Sequence, residues 1–286
     1  LYSDFHMPFC GSGFQTEYDM LCIDHCKEGR MEQEMGNGAY TYLEAGDLKI
    51  DRRIHHKGHI EFPTQHFHGV TIAFDMKEAT KNLPLEMRDF PVDLYALQKK
   101  YCDSKHPFVI PGEPAIEHIF SELYSIPLNI KKYYLKVKIF ELLLYLDALE
   151  LAGTKEERPY FYKTQVEKIK AIRSLMTENL TEHYTLDDLA KRFDIPHTTM
   201  KSCFKSIYGN SIFAYMREYR MNYAANLLRE QNDLSIAQIA GMVGYDSPGK
   251  FSSAFKAVMG STPLSYRKFP VHAVNLWPGG EDETSK

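Results

Sequence analysis

Residues 234–268 read L-S-I-A-Q-I-A-G-M-V-G-Y-D-S-P-G-K-F-S-S-A-F-K-A-V-M-G-S-T-P-L-S-Y-R-K. Ile236, Ile239, Ala240 and Val243 recur at i, i+3, i+4 and i+7, the apolar face of a short helix. Gly244 to Gly249 is a run of turn residues that breaks it. A second helix follows with Phe251, Phe255 and Val258 inward, and Gly260 is its expected stop. Two short helices joined by a tight turn form a helix-turn-helix, whose second helix can enter a DNA major groove.

The same pattern stands about 50 residues upstream. Leu186, Leu189, Ala190 and Phe193 match Ile236, Ile239, Ala240 and Val243 at an offset of 50. Past the turn the offset becomes 51: Met200, Phe204, Lys205, Ile207 and Gly209 match Phe251, Phe255, Lys256, Val258 and Gly260, and Ser211 and Tyr215 match Thr262 and Tyr266. The C-terminal part therefore reads as two copies of one module. A helix over 212–230 joins them, and a rigid joint would hold two recognition helices at a fixed separation, about 34 Å for successive major-groove faces.

Composition places few obstacles in front of this reading. The 286 residues are 44% hydrophobic and 25% charged, an ordinary globular balance. The net charge of −4 hides an asymmetry: residues 160–270 carry 15 Lys/Arg against 10 Asp/Glu, whereas residues 1–159 carry 18 against 25. A basic C-terminal part beside an acidic N-terminal part fits one DNA-binding and one non-DNA-binding domain. Five scattered cysteines read as reduced thiols of a cytoplasmic protein. The longest apolar run, 139–151, is broken by Glu141, Asp147 and Glu150, so no membrane span is expected. The chain opens on Leu1, so native residues are expected to precede it.

Residues 1–20 read as an arm or irregular loops. From Met20 to Met76 the pattern is strand-like. Gly36-Asn37-Gly38 marks a hairpin between Met20–Met35 and Ala39–Leu43, and Val70, Ile72 and Phe74 alternate with Thr71, Ala73 and Asp75. Short strands at this spacing predict a small barrel or sandwich of a kind that often encloses one ligand. Helices follow: one striped by Leu94, Leu97 and Tyr101, and one opened by Pro114 with Ile116, Ile119, Phe120 and Leu123 inward. A helix over 129–151 is so apolar that it must be covered on more than one side, either by its own barrel or by a second copy. Residues 152–159 read as a boundary, and the tail beyond Pro270 as disordered.

These motifs resemble those of the AraC/XylS family of transcription regulators. Ile236, Ile239-Ala240, Gly244-Tyr245, Ser247, Phe251, Phe255-Lys256, Gly260, Thr262-Pro263 and Tyr266-Arg267 stand at the spacing of that family's ending, and the resemblance covers about Val166 to Phe269. It implies an α+β chain: a cupin-like effector-binding and dimerisation domain over 1–152, a linker over 153–163, a double helix-turn-helix domain over 164–270 and a tail over 271–286. It also implies a bacterial regulator of promoter DNA, responsive to a small-molecule effector, that pairs through helix 129–151 and works with RNA polymerase. Neither an enzyme nor a bound cofactor is expected. The alternatives are a metal-dependent cupin enzyme with a helical regulatory domain, and a regulator without an effector.

Base contacts are expected from the outward face of each second helix, near its start. In the first copy these are His197, Thr198, Lys201 and Ser202, and in the second Gly249, Lys250 and Ser253, with Lys205 and Lys256 on phosphates. Members of the family often carry Arg where this chain has Ser202 and Ser253. In the N-terminal part, His66 and His68 would share one side of a strand, about 6.6 Å apart, as ligand contacts. A metal there lacks the closely following Glu of metal-binding cupins, and none is expected. Cys22, His25 and Cys26 hold a zinc only if a turn lies between them, because a continuous strand separates the thiols by roughly 13 Å.

Overall fold

The computed structural model describes residues 1–11, 18–36, 38–53, 59–81, 90–104, 106–151 and 159–268. His55, His56, most of the expected boundary and the tail lie outside the described residues. The chain divides into two units, Leu1–Phe161 and Tyr162–Lys286.

The first unit is rich in sheet. Its strands are β1 (Tyr2–Phe5), β2 (Phe9–Gly11), β3 (Met20–Gly29), β4 (Met31–Gly36), β5 (Ala39–Leu43), β6 (Leu48–Asp51), β7 (His59–Glu61), β8 (Phe67–Asp75) and β9 (Phe108–Ile110). One five-stranded sheet has the order β1-β8-β3-β6-β9, with antiparallel pairing throughout. Beside it stand the β4–β5 hairpin and the β2–β7 pair.

Two sequence expectations need correcting here. Residues 1–20 are not merely an arm or irregular loops, because β1 pairs with β8 from Tyr2↔Val70 to Phe5↔Phe67 and β2 pairs with β7. Short edge strands take their order from a distant partner, which local composition does not display. The stretch 20–35 is not one arm of a hairpin either: it divides at Arg30 into β3 and β4, and only β4 pairs with β5.

β3 is buried along most of its length, as befits a central strand covered on both faces. Leu21 and Ile23 join Leu48, Ile50 and Val70 in a core. That core is completed by helices: α1 (Met76–Lys81) gives Met76, α2 (Leu94–Cys102) gives Leu94, Leu97 and Tyr101, α3 (Pro114–Ser121) gives Ile116, Ile119 and Phe120, and α4 (Lys131–Ala148) gives Leu142, Leu143 and Leu146. These are the stripes that periodicity picks out. α4 also carries Tyr133, Val137 and Leu144 exposed, the first at 70%. At its middle Lys138 is buried and held by Glu141 at 2.7 Å and Glu122 at 3.3 Å.

The opposite face of the sheet is polar at its centre. Register puts Asp24 of β3 level with Lys49 of β6 and Thr71 of β8. Lys49 Nζ reaches Asp24 at 3.1 Å and donates to Gln33 of β4 at 3.0 Å, so it bridges sheet and hairpin. Arg53 grips Asp24 with two contacts of 2.6 and 2.7 Å. Burial alone would raise the Asp24 carboxyl, but Lys49 and Arg53 outweigh it and hold the group at about 2. Losing one partner of such a buried group is costly, because the other is left charged and dry.

Candidate nucleic-acid interface

The second unit is helical: α5 (Lys163–Glu178), α6 (Leu186–Arg192), α7 (His197–Tyr208), α8 (Ile212–Glu230), α9 (Ile236–Met242), α10 (Pro248–Met259) and α11 (Pro263–Lys268). α6 and α9 both start at a hydroxyl N-cap followed by a residue that bonds back to it. Thr185 takes the amide of Asp188 while the Asp188 carboxylate accepts the Thr185 amide, and Ser235 and Gln238 do the same. Each capping box closes two otherwise open backbone donors and fixes where its helix begins.

The two halves repeat bond for bond. Ile195 donates to Ala190 at 3.1 Å and Tyr245 to Ala240 at 2.9 Å, closing the turn after each short helix. The residue that reverses the chain is left-handed in both, Asp194 with φ 45° and Gly244 with φ 78°. At Gly244 a Cβ would stand 2.3 Å from the Leu180 carbonyl oxygen, so only glycine fits there without a shift. Both long helices end alike, with Gly209 donating to Lys205 and Gly260 to Lys256. The ring contacts repeat too: Phe204 meets Tyr215 edge-on at 5.5 Å, and Phe255 meets Tyr266 edge-on at 5.4 Å.

This framework decides which side chains face water. Met200 and Phe204 of α7 and Phe251 and Phe255 of α10 are fully buried. Thr198, Lys201, Ser202 and Lys205 are exposed on α7, and Gly249, Lys250, Ser253 and Lys256 on α10. His197 differs from its neighbours: it is half-buried, and its Nε2 lies 3.0 Å from an Asp187 carboxylate oxygen. A partner already in place makes it a poorer base reader than Lys201. The outward set thus holds two lysines per long helix, one near its start and one near its end, beside small or polar residues.

Arginines that could have been counted as DNA contacts are engaged inside the fold. Arg220 donates to the carbonyls of Leu180 and Glu182, and Arg267 to that of Leu234. Arg173 donates to the Tyr215 hydroxyl. Sequence alone does not separate such anchoring arginines from surface ones.

In the first unit, His66 and His68 do not join the Asp24–Lys49 cluster. Alternation puts His68 on the same face as Val70, toward the helices, where its ring meets Tyr124 edge-on at 5.1 Å. His66 stacks on His6 at 4.7 Å. Asp4, His6 and His66 form a cluster of metal-ligating groups, and reading the sequence missed the first two members. Their signal is the β1–β8 register, which only the fold supplies. Cys22, His25 and Cys26 lie along the single strand β3, without the turn a shared zinc needs. His25 instead bonds Tyr124 through Nδ1 at 2.8 Å and stacks on Phe120 at 4.1 Å.

Comparison with known proteins agrees with this architecture. The profile of a helix-turn-helix domain family matches residues 189–268, from α6 to the end of α11. A putative AraC-like transcription regulator of Streptomyces lividans is 39% identical over 87 residues, 30% of this chain and 28% of its own length. The transcriptional activator RhaR of Mannheimia succiniciproducens is 26% identical over 146 residues, 51% of each chain. The chain therefore spans about a quarter to half of the length of these relatives. Among solved structures, the DNA-binding domain of the global transcriptional factor AdpA in complex with a target DNA has 27% identity, covering 35% of this chain and 90% of that one with a TM-score of 0.34. Over residues 189–268 the C-terminal unit carries a helix-turn-helix domain similar to those of AraC-like transcription regulators.

Proposed function

We propose that the chain is a sequence-specific regulator that binds promoter DNA through two helix-turn-helix modules, α6–α7 and α9–α10. The observation that carries this reading is the doubled helix pair, with the same turn bonds, the same glycine stops and two outward lysines on each long helix. A helix of this length fits the major groove, and lysines at its rim supply phosphate contacts and the salt dependence of binding. Lys201 and Lys250, near the helix starts, are assigned to base edges together with Thr198, Ser202, Gly249 and Ser253. Lys205 and Lys256 are assigned to phosphates. His197 is assigned to positioning, through Asp187.

The N-terminal unit, over about residues 1–152, is assigned as a cupin-like domain that binds a small effector. A linker over 153–163 would join it to the DNA-binding domain, 164–270. Pairing of two copies through α4 is supported by its exposed Tyr133, Val137 and Leu144. Among the described residues no helix is long and apolar enough to cross a membrane. Action in the cytoplasm, on DNA and together with RNA polymerase, follows from the regulator reading rather than from that fact.

The test is fluorescence anisotropy of the full chain on promoter fragments selected from a random pool. Nanomolar, sequence-dependent binding that weakens in Lys201→Ala and Lys250→Ala is expected. Equal affinity for selected and scrambled fragments at fixed salt would refute it.

A further inference from the structure

At one end of the five-stranded sheet, antiparallel pairing gathers residues that lie far apart in the chain. Asp4 of β1 stands level with His68 of β8, and His68 with Glu28 of β3 beyond a register shift. Two residues past Asp4, and two before His68, the backbone brings His6 and His66 ring to ring. Their imidazoles are parallel within 6° at 4.7 Å. Both Nε2 atoms turn toward the same carboxylate oxygen, Asp4 Oδ1, at 3.2 Å from His6 and 3.8 Å from His66. The three ligand atoms all lie within 4.8 Å of one another, and this is the only such cluster among the described residues.

We infer that Asp4, His6 and His66 form a binding site for a divalent transition-metal ion, zinc or a close substitute. Two imidazoles and one carboxylate are a borderline-soft donor set that suits zinc, cobalt or nickel and is poor for calcium or magnesium. Around a tetrahedral ion with bonds of about 2.1 Å, neighbouring ligand atoms stand about 3.4 Å apart. The separations of 3.2 and 3.8 Å bracket that value. Asp4 and His6 are 60% and 63% exposed at the side chain, and His66 is 18% exposed. An ion can therefore enter from water and keep a water molecule in its fourth position. Glu28, across β8, adds negative potential nearby.

A bound ion would tie the edge strand β1 to the start of β8. A ligand that binds the folded state alone raises apparent stability by mass action, so the unit should melt higher with metal. The site stands independently of the DNA-binding reading, and either can fail without the other.

The experiment uses the untagged full chain, stripped with a chelator and titrated with Co²⁺ and then Zn²⁺. One equivalent of Co²⁺ is expected to give visible absorption bands of low-symmetry coordination, which Zn²⁺ abolishes while raising the melting temperature. Removing even an outer-shell partner of a metal site costs about 10–100-fold in affinity, so His6→Ala and His66→Ala should each weaken binding by about tenfold or more. Asp4→Asn, which keeps the shape, should weaken it too, and circular dichroism without metal checks that each variant folds. His118→Ala, at an exposed position of α3, should bind like the parent. Absence of saturable one-to-one binding, full retention in His6→Ala/His66→Ala, or equal loss in His118→Ala would overturn the assignment.

Discussion

Replacing Gly244 by alanine separates what the turn between α9 and α10 needs from what any helix end needs. Gly244 holds φ 78°, and a left-handed conformation costs an L-residue about 1–2 kcal/mol. The new Cβ would also lie 2.3 Å from the Leu180 carbonyl oxygen. That oxygen cannot simply retreat, because it accepts a 2.9 Å hydrogen bond from Arg220 Nη2. Arg220 Nε is already buried without a hydrogen-bond partner. Forced shifts in a packed site cost about 1–3 kcal/mol, so Gly244→Ala should lose about 2–5 kcal/mol in all. Gly260→Ala is the control. Its φ is 76°, with nothing within 4 Å of the added Cβ, so only the backbone cost of about 1–2 kcal/mol remains. Urea unfolding of the full chain, read by hydrogen exchange of amides in 236–260, isolates this region from the N-terminal unit. Equal losses in the two variants would refute the claim that the Leu180 contact fixes the turn.

Other expectations follow from the same geometry. Phe255→Ala removes a fully buried ring that touches Phe251 and Tyr266 and should cost roughly 3–5 kcal/mol, with Phe204→Ala similar; unaltered melting curves would contradict both placements. Lys201→Ala should weaken binding to a selected DNA site by about 1–3 kcal/mol and relax preference at one position, whereas Lys256→Ala should weaken all sequences alike and lower the salt slope by about one. Burial pushes the His25 imidazole from its ordinary value near 6.5 down to about 4. The unfolded chain therefore takes up a proton that the folded one refuses. Stability is full above pH 6.5 and falls as pH drops from 6.5 to 4, by about 3 kcal/mol from this group. His25→Phe, which preserves stacking on Phe120, should flatten that part of the stability–pH curve, and an unchanged curve would show that His25 is not its source. Val137→Asp on the exposed side of α4 should shift a dimer toward monomer in sedimentation while leaving the melting temperature nearly unchanged.

The contrast between the two units explains what the sequence could disclose. Helix periodicity, capping residues and glycine stops are local signals, so the positions of Met200, Phe204, Phe251 and Phe255 are legible from spacing alone. The left-handed turn at Asp194 was less so, since only its pairing with Gly244 across the repeat points to it. The His197–Asp187 contact needs the turn to be closed before the two side chains meet. Strand β1 and the cluster of Asp4, His6 and His66 depend on pairing across more than 60 residues, which no local pattern encodes. Lys138 carries no local signal of burial, and its pairing with Glu122 and Glu141 makes that burial tolerable.

Hydroxyl-radical footprinting of the full chain on a selected promoter fragment tests the central claim most directly. Two modules on one DNA face predict two protected patches about 10–10.5 base pairs apart, centre to centre. Lys201→Ala should weaken one patch and Lys250→Ala the other. A single patch affected by only one of these substitutions, or no protection at low salt, would contradict a bipartite DNA reader.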